Sequence, residues 1–303
     1  MQDTSLLPAL LTTMTAQVTP ACPVDTLSSP DTPGPGAFIS GIDINALSEA
    51  DVSVIRESLG NYGVVFFRDQ SVSPEGHIEF AQHFGAININ RFFQPVTDYP
   101  QIAEVSKEPD QSKNIGEQWH TDHSYDQIPA LGSILVAREL PSSGGDTLFS
   151  SMFSAYNALD DDMKTRLNGL TATHSSRHAF GVEAYDDNDK DDFSGRLGNT
   201  DAATQDAVHP VVIRHPISGK QAIYVNPDFT IRINELSSSE SDALLNELYA
   251  HCQRDEFTYR FQWTKGSVAF WDNRATWHMA FNDYHGQRRM MHRITVEGVA
   301  LGA

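Results

Sequence analysis

The sequence predicts a mainly β protein with flanking helices, arranged as a double-sheet jelly roll. Three observations carry that expectation. From about Gly132 to the C-terminus, short β-like runs follow one another: Ser133 to Ala137, Thr147 to Phe149, Val208 to Arg214, Ala222 to Val225, Phe257 to Trp263, Ser267 to Trp271 and Met291 to Glu297. Phe257-Thr-Tyr-Arg-Phe-Gln-Trp263 alternates with the two-residue period of a half-buried antiparallel strand. Ser218-Gly219 and Lys265-Gly266 supply turns between neighbouring runs.

Taken in chain order, residues 1–35 are rich in Thr, Pro and Ser and end in Ser29-Pro-Asp-Thr-Pro-Gly-Pro-Gly36, so they read as an N-terminal extension, flexible or docked. Residues 36–303 read as a single domain. Ser48-x-x-Asp51 has the form of a capping box, and Val52, Ile55 and Leu59 recur at helical spacing until Gly60, where the helix is expected to stop. Gly63-Val-Val-Phe-Phe67 reads as a buried strand. Ser73-Pro74-Glu75 opens a second helix, expected to end near Gly85. Ser238 to Gln253, with Leu244, Leu245 and Leu248 on one face, reads as an amphipathic helix packed on the sheets. Residues 182–207 read as an acidic loop or a lid; Glu183 to Asp192 lacks the turn Gly and terminal Glu of a calcium loop.

Composition narrows the function. The 303 residues carry 21 Lys+Arg against 40 Asp+Glu, a net charge of −19 that repels nucleic acid phosphates. No apolar run approaches the roughly 18 residues of a spanning helix, and the first basic residue is Arg56, which leaves no positive region for a signal peptide. With only Cys22 and Cys252, a reducing, cytoplasmic setting fits best. A small molecule is the expected partner, not nucleic acid and not a membrane.

Trp119-His120-Thr121-Asp122 places two potential metal ligands two residues apart, a spacing that on a strand points both to one face. His278, after the run Ser267 to Trp271, is a candidate third. Two imidazoles and a carboxylate leave three octahedral positions open, the arrangement of Fe(II) oxygen chemistry; the same set also suits a zinc hydrolase. Alone, His-x-Asp is a weak signal. Arg289 and Arg293 strengthen it, because an inward guanidinium on a central strand needs an anion, and a dicarboxylate cosubstrate would supply one. Thr147, in Gly144-Gly145-Asp146-Thr147, has a hydroxyl able to share that carboxylate.

With these residues in view, the sequence resembles the taurine and chlorophenoxyacetate dioxygenases, which use Fe(II), 2-oxoglutarate and O2. The resemblance runs from about Gly41 to Gly298. It rests on Val65-Phe-Phe-Arg-Asp-Gln70, Trp119-His-Thr-Asp122, Glu139-Leu-Pro-Ser-Ser-Gly-Gly-Asp-Thr147, Trp271-Asp-Asn-Arg274 and Asp283-Tyr-x-x-Gln-Arg-Arg-x-Met-His-Arg293. It implies a cupin-like double-stranded β-helix, iron ligands His120, Asp122 and His278, and Thr147 and Arg289 on the distal carboxylate of 2-oxoglutarate. Arg293 would lie beside the iron, where it can meet an anionic group of cosubstrate or substrate. The implied reaction is hydroxylation of an unactivated C–H, with bond cleavage where the product collapses, and release of succinate and CO2.

On the substrate side the sequence departs from the taurine enzyme. That enzyme's sulfonate-binding His and nearby Tyr fall on Asn90 and Phe93, its substrate-binding Asn on Gly116 and a pocket Ser on Ala179. Taurine is therefore disfavoured, and a small anionic substrate with a more apolar body is expected. Asn90, Phe93, Gln118, His123, Phe180 and Arg293 are the candidate substrate contacts, with Phe92, Tyr125, Ser175, Arg177 and His178 behind them. Each of these taken singly also reads as an ordinary structural residue. The rival readings are a zinc-dependent hydrolase and a non-catalytic jelly-roll binding module; relatives that form dimers or larger assemblies leave a homo-oligomer open.

Overall fold

Apolar alternation along the β-like runs resolves into a large and a small sheet that bury their facing sides, beside two further small sheets, Asp206–Pro210 with Thr171–Ser175 and Thr230–Ile233, and Val212–Arg214 with Gln221–Ile223. The computed structural model describes residues 15–22, 34–181, 193 and 196–302. Among these, a nine-stranded sheet runs in the order Gln17–Pro20, Ala37–Ser40, Val64–Phe67, Val268–Asp272, Gly132–Glu139, Arg289–Val296, Tyr99–Lys107 and Pro95–Val96, with Ile87–Asn88 also pairing on Arg289–Val296. Only Ala37–Ser40 and Val64–Phe67 run parallel; the other pairs are antiparallel. Opposite lies a three-stranded sheet, Thr258–Phe261, Thr147–Ser151 and Thr276–Ala280. Val64, Phe66, Leu135, Phe149, Phe261, Trp271 and Met291 pack between the two. Phe66 and Phe261 stack there at 4.2 Å.

The far face of the large sheet is covered by two helices. Ile102, Ile134, Val136, Phe270 and Ile294 meet Ile55 and Leu59 of helix Glu49–Tyr62 and Phe80 and Ala81 of helix Pro74–Gln82. Ser48 and Asp51 form the capping box the sequence predicts. The helix passes the expected stop at Gly60 and ends at Gly63, whose φ of 75° supplies the left-handed cap. Gly60 serves packing instead: a Cβ there would come within 2.9 Å of Ile217 Cγ2. Helix Ser238–Cys252 buries Leu244, Leu245 and Leu248 in a separate core with Phe153, Val211, Ile223 and Trp277.

Three other expectations need correction. The run Val208 to Arg214 divides into Asp206–Pro210 and Val212–Arg214, because Pro210 has no N–H to continue a ladder. Asp255–Phe257 is a 3-10 turn and the following strand is only Thr258–Phe261. Within 182–207, the described part is more ordered than a loop: Leu197 bridges Phe93, Thr200–Ala202 is a 3-10 turn, and a strand begins at Asp206. The run Glu183 to Asp192 lies outside the described residues. Of the N-terminal extension, Gln17–Pro20 docks antiparallel on Ala37–Ser40, while 1–14 and 23–33 lie outside the described residues. Among the described residues no helix is long and apolar enough to cross a membrane.

The strand Arg289–Val296 lies centrally, between Gly132–Glu139 and Tyr99–Lys107. Its side chains alternate: Met291 points between the sheets, whereas Ile294 and Val296 point to the helical layer. Arg289 and Arg293, in step with Met291, thereby reach the interior.

Candidate active site

His120 and His278 are brought together by an isolated antiparallel bridge. The His120 N–H donates to the His278 carbonyl at 3.1 Å and the His278 N–H to the His120 carbonyl at 2.8 Å. Their rings lie 4.1 Å apart. The segment holding His120 and Asp122 is not a strand, contrary to the sequence expectation; after the bridge the chain enters a turn in which His123 adopts φ 60°. The turn still delivers Asp122 to the same point, with Oδ1 3.8 Å from His120 Nε2 and Oδ2 4.0 Å from His278 Nε2. All three residues are buried, and their ligand atoms lie within 4.8 Å of one another.

The surroundings set the protonation that a cation needs. His120 Nδ1 lies 2.8 Å from the Gln118 carbonyl, which accepts its N–H and leaves the Nε2 lone pair toward Asp122. Ser133 Oγ donates to Asp122 Oδ2 at 2.8 Å and Arg293 Nη1 donates to Oδ1 at 3.2 Å. Burial pushes the Asp122 pKa up, but Arg293, then His278 and His120, outweigh it and hold the carboxyl well below the usual range. Burial, with His120 adding to it, pushes His278 well below the usual imidazole value. A neutral His278 imidazole beside an ionised Asp122 suits a divalent cation.

Deeper in the same cavity stands Arg289, buried, with Nε and Nη2 lacking any hydrogen-bond partner and with burial lowering its pKa. Thr147 Oγ1 accepts from Trp263 Nε1 at 3.0 Å, so its own O–H remains free to donate. Gly145, at φ 72°, makes the room: a Cβ there would stand 3.1 Å from Arg289 Cδ. An unpaired buried guanidinium lining the same cavity as a hydroxyl donor fits a carboxylate, and the His/Asp/His cluster fits a divalent cation.

The cavity has a volume of about 310 Å³ and is walled by Phe93, Tyr125, Leu135, Phe180 and Phe229. Among the sequence candidates, Phe93, Gln118, Phe180 and Arg293 line it, as do Tyr125, His178, Gly116 and Ala179. Asn90 and His123 are not among the lining residues. The Asn90 side-chain oxygen is taken by the N–H groups of Phe92 at 2.9 Å and Phe93 at 3.2 Å, so it shapes a turn. His123 is buried with Nδ1 2.8 Å from Asp126 Oδ2, a carboxylate also held by Arg91. Ser175 and Arg177 both bind Asp206 instead of facing the cavity. Sequence reasoning passed over Asp228 and Phe229, which also line it. They lie in Val225-Asn-Pro-Asp-Phe-Thr230, whose only visible signal is that of a turn.

The chain is similar to several known proteins. The family model described as taurine catabolism dioxygenase TauD, TfdA family, matches residues 28–295. An alkylsulfatase of Acinetobacter baylyi is 35% identical over 274 residues, covering 88% of this chain and 84% of that protein. An alpha-ketoglutarate-dependent sulfate ester dioxygenase of Pseudomonas putida is 31% identical over 265 residues, covering 87% and 86%. The crystal structure of AAD-2 in complex with Mn(II) and N-oxalylglycine aligns with a TM-score of 0.74 at 26% identity, over 96% of this chain and 100% of that one.

Proposed function

Since this chain belongs to the taurine catabolism dioxygenase TauD, TfdA family, and is an oxidoreductase dependent on Fe(II), 2-oxoglutarate and O2, we propose that it hydroxylates a C–H bond of a small anionic organic molecule. The candidates by class are sulfonates, sulfate esters and carboxylates with an apolar body; where the new hydroxyl sits beside a heteroatom, the bond to that atom cleaves. Iron and 2-oxoglutarate, when bound, supply the oxidising power for O2-dependent attack on the C–H bond, with succinate and CO2 released.

In this reading His120, Asp122 and His278 hold the metal. Thr147 and Arg289 receive the distal carboxylate of 2-oxoglutarate. Arg293 steadies Asp122 through Nη1 and keeps Nε, buried and unpartnered, beside the cavity for an oxyanion. Ser133 fixes the second Asp122 oxygen, and the Phe93, Phe180 and Phe229 wall excludes water and takes the apolar body of the substrate. We place the reaction in the cytoplasm, where the unpaired Cys22 and Cys252 suit a reducing setting.

The observation that carries the reading is Arg289. A buried guanidinium lacking an anion costs several kcal/mol, of order 3 to 5, and its orphaned edge faces the cavity that holds the His/Asp/His cluster. A zinc hydrolase has no use for that clamp. The test is anaerobic addition of Fe(II) and 2-oxoglutarate to purified protein, watching for the visible charge-transfer band of chelated 2-oxoglutarate, with His278→Ala as control. A band lost in the variant supports the assignment; no band in folded, iron-loaded protein overturns it.

A further inference from the structure

Asp228 lines the substrate cavity, where its carboxyl group feels His120 and His178 through space but pairs with neither. It sits in the turn between strands Gln221–Ile223 and Thr230–Ile233, and Asn226 locks that turn. The Asn226 side-chain oxygen accepts the Phe229 N–H at 2.9 Å, its Nδ2 donates to Ser124 Oγ at 3.0 Å, and its carbonyl accepts from Tyr249 Oη at 3.0 Å and from the Thr230 N–H at 3.1 Å. His178 Nε2 lies 2.5 Å from the Asp228 carbonyl and fixes the other side. The backbone that carries Asp228 is thus fixed before any ligand arrives.

The other acids lining the cavity are engaged. Asp122 is held by Ser133 and Arg293, and Glu117 accepts from the Asn114 N–H and Asn282 Nδ2. Among the described residues, no hydrogen bond or ion pair holds the Asp228 carboxyl group. Burial raises its pKa, and the partial opposition of His120 and His178 does not cancel that rise.

Three rings line the same cavity. Tyr125 lies 4.9 Å from Phe229 and 6.0 Å from Phe180, and Phe180 lies 5.9 Å from Phe229. Aromatic faces attract cations through their quadrupole, and a fixed carboxylate adds charge-assisted hydrogen bonds. Arg293 supplies positive charge elsewhere in the same cavity. A ligand with an oxyanion alone leaves the half-buried Asp228 carboxyl group without a hydrogen-bonding partner.

We propose that Asp228 is a specificity-determining residue that receives a protonated amine on the substrate, so that the preferred substrate carries an ammonium group as well as its oxyanion. The proposal rests on the dioxygenase reading above. It sets this cavity apart from one that takes a simple alkyl sulfate or aryl acid, because such a molecule has nothing to offer the carboxylate.

The test uses matched alkyl sulfonates and alkyl carboxylates of medium chain length, each with and without a terminal amine. Anaerobic titration onto the protein loaded with Fe(II) and 2-oxoglutarate reads binding, and succinate release reads turnover. The wild-type protein should prefer the amine-bearing member of each pair by about tenfold or more. Asp228→Asn, nearly isosteric, should erase that preference while leaving the visible 2-oxoglutarate band unchanged, and Asp228→Lys should turn it toward compounds with a terminal carboxylate. Equal preference in wild type and Asp228→Asn, or a wild-type preference for the amine-free compounds, overturns the proposal. Absence of the band in the wild type instead overturns the dioxygenase reading, so the two failures are distinguishable.

Discussion

Two buried clusters in this molecule are built from the same three side-chain types and are finished differently. Around Asp272, Arg274 donates through Nε at 2.8 Å and Nη2 at 2.7 Å, the Arg274 N–H adds a third bond at 2.9 Å, and His215 Nε2 lies 2.9 Å from Oδ2. His215 Nδ1 is in turn 2.9 Å from Ser218 Oγ, so the network closes on itself. Around Asp122 the arginine approaches at 3.2 Å, and both imidazoles stop at 3.8 and 4.0 Å. One cluster has spent its hydrogen-bonding capacity on the fold. The other holds its groups apart by the width that a cation between them requires. Completed pairing marks a structural triad, and incomplete pairing among equally buried groups marks a site.

That contrast can be broken experimentally. The largest expected effect is functional: Asp122→Asn should abolish 2-oxoglutarate-dependent succinate release while costing less stability than the matching change at Asp272, since Arg293 reaches Asp122 through Nη1 alone. Asp272→Asn should do the reverse, costing about 3 to 5 kcal/mol because Arg274 is left buried without its counter-charge, which a denaturant melt reads directly. Equal stability losses in the two variants would dissolve the distinction. Next comes Arg289→Ala, which should raise the half-saturating 2-oxoglutarate concentration about a hundredfold while leaving the ligand-free protein as stable or more stable, since the arginine is unpaired there.

A smaller effect is expected from acid. Burial lowers His77 to about 3, with Arg138 and His292 adding to the shift and the Ile134 backbone partly opposing it. Between the unfolded value near 6.5 and the folded value near 3, the unfolded chain binds the proton and the folded chain does not. Stability from His77 is therefore full above about pH 6.5 and is lost as pH falls toward 3. His77→Leu should flatten the melting profile over that window; an unchanged profile assigns the acid sensitivity elsewhere. Smallest is Gly145→Ala, expected to cost about 1 kcal/mol for its left-handed backbone and to weaken 2-oxoglutarate modestly by crowding Arg289.

The sequence made the site legible where chemistry restricts residue type and left it dark where geometry decides. His120, Asp122 and His278, with Arg289, Arg293 and Thr147, stand out because few structural needs call for those groups in that order. The expected strand through Asp122 was misplaced because a two-residue offset is delivered as well by a bridge followed by a turn. Gly60 and Gly63 look alike in sequence, and only packing against Ile217 and the left-handed φ separate their roles. Asn90 and His123 have the chemistry of substrate contacts, but neighbouring N–H groups and Asp126 claim them. Asp228 gave no signal, since an acid in a turn is ordinary until the turn is seen to face the cavity.

The paired N–H to carbonyl bonds between His120 and His278 also bear on how the protein reaches its native state. The two residues are 278 − 120 = 158 positions apart, so the bridge forms only after a very long loop has closed, a step that comes late in topologies rich in distant contacts. The amide hydrogens of His120 and His278 should therefore exchange with solvent as one unit, and the capacity to chelate should appear at the end of refolding. The large sheet closes loops at least as long, Val268 pairing with Phe67, so site and sheet should complete together, which makes metal binding a reporter of the finished fold.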